Sequence, residues 1–278
     1  MIKIMITCRN RLSITCKCLT AIQKFSKLPH QIFIYDNLTN YKIQEHFLYF
    51  SLLYEKGIIS QYTVNTKEST FNSFSKAVAS NMFLTQHSQD PKKDECDFLV
   101  CMDNDIIIVK EGWDEILKNA WTDIKKLGFN NIKIIGSYPG GIKNKILLKQ
   151  KIAERDAVIG KLGGSGFWSF QPNFYEDVGL LDLKKLVGLN KKHDQLYWNL
   201  LDKSSKGKEY IMGLKDKLVV HCGGKIASSV CNILTRNNNN KNKLDLIKFE
   251  EIENKIDAMT FNEFYNTIIN DNELLNNW

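Results

Sequence analysis

The tripeptide Asp103-Asn104-Asp105 is the pattern in this sequence that most clearly could perform chemistry. Its two carboxylates come directly after the apolar run Phe98–Met102, and a second apolar run, Ile106–Val109, follows. Carboxylate oxygens are preferred ligands of Mg²⁺ and Mn²⁺, and a metal held in this way can be shared with a diphosphate. A chain of this length holds about one Asp-x-Asp by chance, so its context between apolar runs matters. We therefore expect Asp103 and Asp105 to bind Mn²⁺ or Mg²⁺; an acidic turn that caps the next element is the alternative.

Polar residues also follow two other strand-like runs. Thr7 closes the apolar run that begins at Ile2, and Asp36 closes the run that begins at Gln31. In parallel α/β sheets, ligands bind at the carboxyl ends of the strands. We therefore expect Thr7, Asp36 and Asp103 to meet at one edge of a sheet.

Basic side chains close to these strand ends are candidates for contact with an anion. Arg9 and Arg11 follow the first strand, and Lys67 follows the third. A planar guanidinium fits phosphate oxygens with paired donors. Each of the three is equally well explained as a surface charge.

The elements that must position these residues alternate along the first half of the chain. Apolar runs predict strands over residues 2–7, 31–36, 58–64, 97–102 and 132–136, and helical spacing predicts helices over about 12–22, 41–55, 69–85 and 112–127. This rhythm is typical of an α/β fold with a mostly parallel sheet flanked by helices.

The second half of the chain is less regular. Residues 149–160 are predicted as strand or loop, 163–170 as a glycine-rich loop entering an aromatic segment, 191–201 as a helix and 218–221 as a strand. An Asn-rich stretch over 237–243 has the composition of a linker. We therefore divide the chain into a domain over 1–236, this linker and a helical tail over 244–278. The tail could pack on the domain, form a homodimer or lie on a membrane.

The composition limits the class of protein. Of 278 residues, 43% are hydrophobic, which suffices for a sizeable core. The formal net charge of +7 suits an anionic ligand, but the basic residues are not interleaved with aromatics, which makes nucleic acid an unlikely partner. Seven cysteines without a CxxC pair indicate reduced thiols. With no signal-like leader and no membrane-length apolar run, we expect a cytoplasmic protein, and peripheral membrane contact stays open.

Five short segments together resemble the GT-A glycosyltransferases, and in particular the inverting family called glycosyltransferase family 2. In chain order they are Met5–Arg11, Ile34–Asn37, Phe98–Asp105, Gly163-Gly164 with Phe174–Asp182, and His193-Asp194-Gln195. The match extends over roughly residues 1–225. The resemblance implies a Rossmann-like GT-A domain that transfers a sugar from a UDP- or GDP-sugar to an acceptor hydroxyl, with inversion.

The resemblance also implies roles for individual residues. Asp194 is the expected general base, although His193 stands where the family usually has a second acid; a helix cap is the alternative role for Asp194. His221 is expected to complete the metal site of Asp103 and Asp105. The expected donor-binding residues are Thr7, Arg9, Asp36, Lys67, Asp103 and Asn104, and the expected acceptor-binding residues are Gly163, Gly164 and Trp168.

Several alternatives remain open from the sequence. The acceptor could be a glycan, a lipid-linked molecule or a protein. A sugar nucleotidyltransferase shares the α/β layout and an acidic metal site, but usually has a glycine-rich loop after the first strand, and residues 7–11 contain no glycine. A nucleotide-sugar-binding module without catalytic activity is the non-enzymatic alternative.

Overall fold

A computed structural model describes residues 1–37, 39, 41–65, 72–137, 146–152, 154–160, 166–183, 210–222 and 242–270. The strands are β1 Ile2–Cys8, β2 His30–Asn37, β3 Gln61–Asn65, β4 Phe98–Asp103, β5 Ile106–Ile108, β6 Ile132–Ser137, β7 Ile146–Ile152, β8 Arg155–Gly160, β9 Phe167–Phe170, β10 Tyr210–Leu214 and β11 Val219–His221. The helices are α1 Leu12–Phe25, α2 Ile43–Glu55, α3 Asn72–Gln89, α4 Trp113–Lys126, α5 Phe174–Val178, α6 Asn242–Ala258 and α7 Phe261–Asn270, with a short 3₁₀ turn at Lys93–Glu95.

The strands form a nine-stranded mixed sheet in the order β3-β2-β1-β4-β9-β6-β10-β8-β7. β1 pairs in parallel with β2 and β4, and β2 pairs in parallel with β3. β9 runs antiparallel between β4 and β6, and β7 and β8 form an antiparallel pair at the far edge. The predicted α/β fold with a mostly parallel sheet flanked by helices is confirmed.

Alternating side chains of the central strands belong to two separate hydrophobic cores, one on each face of the sheet. In β1, Ile4 and Ile6 face the core built with α1, α2, α4, α6 and α7, whereas Met5 faces the core built with α3 and α5. In β4, Val100 and Met102 follow the first pattern and Cys101 the second, because successive side chains of a strand point to opposite faces. This alternation decides which helix can reach each polar residue at the end of a strand.

The aromatic segment expected after a glycine-rich loop is the central strand β9. All four of its residues, Phe167–Phe170, are buried, as is usual for a strand covered on both faces. Its insertion between β4 and β6 was not predicted, because an apolar run of four residues does not reveal its direction or its neighbours.

Two predicted boundaries differ from the structure. β3 begins at Gln61 rather than at Ile58, because the backbone N–H groups of Ile58 and Ile59 both donate to the carbonyl of Leu53 at the end of α2. α3 extends to Gln89 rather than Thr85, and its last turn lies against the buried Lys3 of β1, whose ammonium contacts His87.

The two tail helices pack on the main domain through α1. Ile256 of α6 and Phe264 and Ile268 of α7 are at most 1% exposed and belong to the core that contains α1. Thr260 and Glu263 form a capping box at the start of α7, in which the Thr260 N–H donates to Glu263 at 2.7 Å and the Glu263 N–H donates to Thr260 at 3.3 Å. The part of the predicted tail that the structure describes is therefore an integral layer of the fold.

None of the helices in the described part of the chain combines the length and the apolar character needed to cross a membrane. The six cysteines within the same residues are free thiols, five of them buried.

Candidate functional site

The turn Asp103–Asp105 joins β4 to β5 at the carboxyl edge of the sheet. The Asp103 N–H donates to the carbonyl of Gly166 at 3.0 Å, and the Asn104 N–H donates to the carbonyl of Thr7 at 3.1 Å. The Asn104 side chain is 2% exposed and donates to Thr15 Oγ1 at 2.7 Å. Instead of facing a donor, as predicted, the Asn104 amide ties the turn to α1.

Asp103 lies on the α3 side of the sheet. Its Oδ1 accepts a hydrogen bond from Thr7 Oγ1 at 3.0 Å and lies 2.6 Å from Lys76 Nζ. The Asp103 side chain is 30% exposed, so a ligand at the edge of the sheet can still reach it. Thr7 and Asp103 are partners in the parallel ladder of β1 and β4, which brings the two strand ends together as the sequence predicts.

Asp105 lies on the α1 side and is 4% exposed. Its Oδ2 is 2.7 Å from Arg11 Nη1 and 3.4 Å from His221 Nε2. His221 arrives through a separate two-stranded sheet, in which it pairs with Ile106 and the backbone N–H of Cys222 donates to the carbonyl of Asp105 at 2.8 Å.

The electrostatics of this pair are dominated by opposite charge. Burial raises the pKa of the Asp105 carboxyl, but the Arg11 guanidinium and the His221 imidazole outweigh burial and hold that pKa well below its usual range. The hydrogen bond to Asp105 raises the pKa of His221, against the opposing effect of burial. At neutral pH the Asp105 carboxylate is therefore ionised, as a metal ligand must be.

The residues fit a divalent metal at Asp105 and His221. Asp105 Oδ1 is buried and accepts no hydrogen bond within the described residues, so it is an orphaned acceptor. No group of three His, Cys, Asp or Glu side chains that could hold a metal occurs in the described part of the chain. Mg²⁺ and similar ions are often held by one or two protein ligands while substrate phosphates and water complete the shell. Asp103, the third predicted ligand, pairs with Lys76, and its negative charge also raises the pKa of His221.

The loop between β1 and α1 holds a strained conformation that carries Arg11 to Asp105. Asn10 and Arg11 are consecutive non-glycine residues with φ of 53° and 55°, in the left-handed region. Asn10 Oδ1 accepts from the Tyr41 N–H at 3.0 Å, and the Asn10 N–H donates to Thr39 Oγ1 at 3.0 Å. Such backbone strain persists only where surrounding contacts impose it, and it is often found at functional sites.

Asp36 is buried beneath a cavity at the ends of β2 and β3. Its carboxylate is 1% exposed and accepts from Thr39 Oγ1 at 2.6 Å and from Tyr62 Oη at 3.3 Å. Burial raises the pKa of Asp36, although the hydrogen bonds from Thr39 and Tyr62 and the nearby Arg9 lower it in part. The cavity has a volume of about 490 Å³ and is lined by Asp36, Thr39, Ile43, Gln44, Phe47, Leu48, Tyr62 and Val64. Asp36 thus holds wall residues of this cavity in place, and little of its own side chain is open to the cavity.

One predicted acceptor residue is corrected and several predicted residues cannot be placed. Trp168 is 2% exposed and packs inside β9 with the α3 core, so its ring is not available to stack on an acceptor sugar. The reason is the alternation of β9, which places Trp168 on the same face as Phe170, with the two rings packed edge-on at 6.4 Å between centroids. Lys67, Gly163, Gly164 and Asp194 lie outside the described residues.

Two charged residues at or near the site were missed by the sequence reasoning, although a signal for both exists. Lys76, whose side chain is 12% exposed, lies at helical spacing from the buried Ser80 and Leu84 of α3. Glu253 lies on the buried stripe of α6 with Phe249. A charged residue at helical spacing from buried ones needs a specific partner, because an unpaired buried charge is costly. That pattern marks both positions in the sequence.

Comparisons with known proteins give a likeness in fold only. No protein-family model matches the chain, and no curated protein matches its sequence. Among solved structures, GalNAc-T7 with UDP, GalNAc and Mn²⁺ is similar at 12% identity and a TM-score of 0.53, over 77% of this chain and 43% of that one. The mannosyltransferase PcManGT from Pyrobaculum calidifontis with GDP-Man and Mn²⁺ is similar at 11% identity and a TM-score of 0.51, over 84% of this chain and 62% of that one.

TarS of S. aureus also matches, at 15% identity and a TM-score of 0.47, over 78% of this chain and 36% of its own. The chain thus spans less than two thirds of the length of each of these three structures. With a mixed sheet of this order, an acidic turn at the carboxyl end of β4 and the likeness to GalNAc-T7 and the mannosyltransferase, the chain has the GT-A fold.

Proposed function

We propose that this protein is a metal-dependent glycosyltransferase that moves a sugar from a UDP- or GDP-sugar to an acceptor hydroxyl. The observation that carries the proposal is the cluster at the carboxyl end of β4, where Asp103 and Asp105 lie against Lys76, Arg11 and His221. A divalent cation held by acids, together with neighbouring basic side chains, would neutralise the negative charge of a diphosphate. GalNAc-T7 with UDP and PcManGT with GDP-Man, both solved with Mn²⁺, support this choice of donor and metal.

Asp105 and His221 would hold Mn²⁺ or Mg²⁺ in this proposal. When bound, the metal would neutralise negative charge that develops on the departing nucleoside diphosphate. Arg11 and Lys76, which contact Asp105 and Asp103, would supply further positive charge to the same oxygens. Asp103 would then remain to orient the donor beside the metal.

The nucleoside would bind on the β1 and β2 side of this cluster. The cavity of about 490 Å³ at the ends of β2 and β3 offers the aromatic rings of Phe47 and Tyr62. Thr7 lies at the end of β1, between β2 of this cavity and Asp103 of β4, and Asp36 fixes the wall through Thr39. The buried Arg9, whose charge acts on Asp36, would line the same side of the donor. Lys67 keeps its predicted donor role as part of this proposal.

The acceptor side of the reaction rests on the resemblance described from the sequence. Asp194 would accept the proton of the acceptor hydroxyl as that oxygen attacks the anomeric carbon, which inverts the configuration. Gly163 and Gly164 would allow the acceptor to approach the backbone closely. The acceptor itself is to be chosen among a glycan, a lipid-linked molecule and a protein by the assay below.

Substitution of Asp105 tests the proposal directly. The wild type is expected to release UDP or GDP from a nucleotide sugar only when Mn²⁺ or Mg²⁺ is present. Asp105→Ala should lose Mn²⁺ binding in titration calorimetry and reduce turnover by about 10²–10³-fold. The matched control is Asp94→Ala, because Asp94 is an exposed acid far from the site and should keep full activity. Metal-dependent turnover that is unchanged in Asp105→Ala would remove the proposal.

Substitution of Asp194 separates donor binding from transfer. Asp194→Asn should bind UDP with Mn²⁺ as the wild type does but lose most transfer, because the amide cannot take the acceptor proton. Full transfer by this variant would assign the base to another residue.

The same assay distinguishes the two alternatives. Release of pyrophosphate rather than a nucleoside diphosphate would identify a sugar nucleotidyltransferase. Binding of nucleotide sugars without turnover, with every acceptor class tried, would identify a binding module.

A further inference from the structure

The tail helix α6 carries a buried acid that reaches the first turn of α1. Glu253 is 5% exposed and lies on the same face of α6 as Phe249 and Ile256, which are 2% and 1% exposed. Its Oε2 accepts a hydrogen bond from the backbone N–H of Ser13 at 3.2 Å. The two residues are 240 positions apart in the sequence, so the tail and the start of α1 are held together at one point.

The start of α1 has no cap from its own sequence. The first backbone N–H groups of a helix have no intrahelical partner, and a side chain of the residue before the helix usually accepts from one of them. That residue is Arg11, whose backbone is left-handed and whose side chain makes no capping hydrogen bond. Glu253 provides the missing acceptor, and its negative charge is favourable at the positive end of the helix dipole.

This cap lies next to the residue that reaches Asp105. Arg11 directly precedes α1, and its guanidinium is 2.7 Å from Asp105 Oδ2. Because Arg11 has a positive φ, its position depends on contacts that fix both sides of the loop. Lys17 Nζ donates to the carbonyl of Met259 at 2.5 Å, which adds a second contact between α1 and the tail.

We propose that Glu253 is a positioning residue of the donor site, acting through the start of α1 on Arg11 and hence on the Asp105–His221 pair. Only the last step, from Arg11 to the Asp105–His221 pair, rests on the proposed function. The C-terminal helices would then be a required part of the active enzyme. Burial raises the pKa of Glu253, while Ser13 and the charges of Arg11 and Lys42 oppose that rise.

The experiment compares Glu253→Leu with Glu253→Gln in the full chain. Leu removes the acceptor, whereas Gln keeps an oxygen for the Ser13 N–H. Loss of a helix cap corresponds to about a fivefold change in an equilibrium. We expect Glu253→Leu to weaken Mn²⁺ binding by about fivefold or more, and Glu253→Gln to keep most of the wild-type affinity. Electron paramagnetic resonance measures this affinity with Mn²⁺ alone and with UDP plus Mn²⁺.

Two controls separate positioning from general loss of stability. Glu251→Leu changes an exposed acid on the same helix and should leave Mn²⁺ affinity unchanged. Phe264→Leu loosens the tail core and should lower Tm without changing the KM for the donor, whereas Glu253→Leu should raise that KM. Equal KM values in Glu253→Leu and the wild type, or an equal rise in Phe264→Leu, would overturn the proposal.

Hydrogen exchange tests the contact between Glu253 and the start of α1 without an assay of enzyme activity. Amides of residues 9–15 should exchange faster in Glu253→Leu than in Glu251→Leu, and unchanged exchange would also overturn the proposal. If the wild type shows neither Mn²⁺ binding nor turnover, the proposed function fails, and exchange over residues 9–15 alone decides whether Glu253 holds the loop. If Glu253→Leu does not fold, Glu253→Ala, which also removes the acceptor, is compared with Glu251→Ala as its control.

Discussion

At the residue scale, the acids of the site are distinguished by their neighbours. Asp103 is partly exposed and shares its Oδ1 between Thr7 and Lys76, whereas Asp105 is buried and contacts Arg11 and the exposed His221. Two acids separated by one residue thus have different environments, because the strand ends between them. Asp105 is suited to hold a metal, and Asp103 is suited to contact a ligand that arrives from solvent.

A second residue-scale effect is the buried imidazole of His46, which makes stability depend on pH. Its Nδ1 is 3.9 Å from Asp36 Oδ2, and its ring packs edge-on against Phe50. Burial lowers the pKa of His46 to about 4, compared with about 6.5 in an unfolded chain. The unfolded chain therefore takes up a proton near pH 6.5 and the folded chain only near pH 4. The stability that neutral His46 contributes is complete above pH 6.5 and is lost as the pH falls toward 4.

When the pH falls from 7.5 to 5, protonation of His46 in the unfolded chain should lower the unfolding free energy of the wild type by about 2 kcal/mol. Urea denaturation at both pH values should show the loss in the wild type and a loss smaller by that amount in His46→Phe. Asp36 is present in both proteins, so the comparison isolates the imidazole. The same pH dependence in both proteins would show that His46 is not the responsible group.

At the element scale, the ends of helices fix the geometry of the site. α4 begins next to the turn after α1, where Asp114 Oδ2 accepts from the backbone N–H groups of Lys27 and Leu28 at 2.8 and 2.7 Å. Asp114 is fully buried, so its carboxylate links the beginning of one helix to the end of another. α1 is thereby held at its start by Glu253 and at its end by Asp114.

Asp114→Ala should therefore destabilise the fold by about 3 kcal/mol, because the backbone N–H groups of Lys27 and Leu28 both lose their acceptor and the fully buried carboxylate is removed. Asp114→Asn retains one acceptor oxygen and should cost less, about 1 kcal/mol. Glu115→Ala changes an exposed acid in the same turn and should remain within about 0.5 kcal/mol of the wild type in chemical denaturation. Equal losses for Asp114→Ala and Glu115→Ala would argue against this link.

At the scale of the whole molecule, the tail and the main domain share one core. Phe264 is fully buried in the cluster that contains β1, β4 and α1, and Tyr265 Oη donates to the carbonyl of Val109 at 2.9 Å. A shared core predicts a single cooperative unfolding transition rather than separate transitions of domain and tail.

Phe264→Ala should lower the unfolding free energy of the whole chain by about 3–5 kcal/mol, as expected for removal of a buried aromatic ring. Circular dichroism and tryptophan fluorescence should report the same lowered midpoint, because Trp113, Trp121 and Trp168 lie in the main domain. Asn266→Ala, exposed on the same helix, is the control. An early helical transition with an unchanged fluorescence midpoint would instead show that the tail folds independently.

The sequence alone determined the local features of this protein. The apolar runs of β1, β2 and β4, the polar residues at their carboxyl ends and the helices between them follow from periodicity, which neighbouring residues encode. Because parallel strands align their carboxyl ends, the meeting of Thr7 with Asp103 also followed from the sequence. The roles of Lys67, Gly163, Gly164 and Asp194 remain predictions from the family resemblance.

Only the tertiary structure decided which side chains meet across long separations. Arg11 and Asp105 are 94 positions apart, and Ser13 and Glu253 are 240 apart, so no local pattern encodes either contact. The order of the strands placed β9 in the centre of the sheet, which buried Trp168, and brought His221 to Asp105 through β11. The physical reason is that periodicity specifies which face of an element is buried, whereas the partner on that face depends on packing of the whole chain.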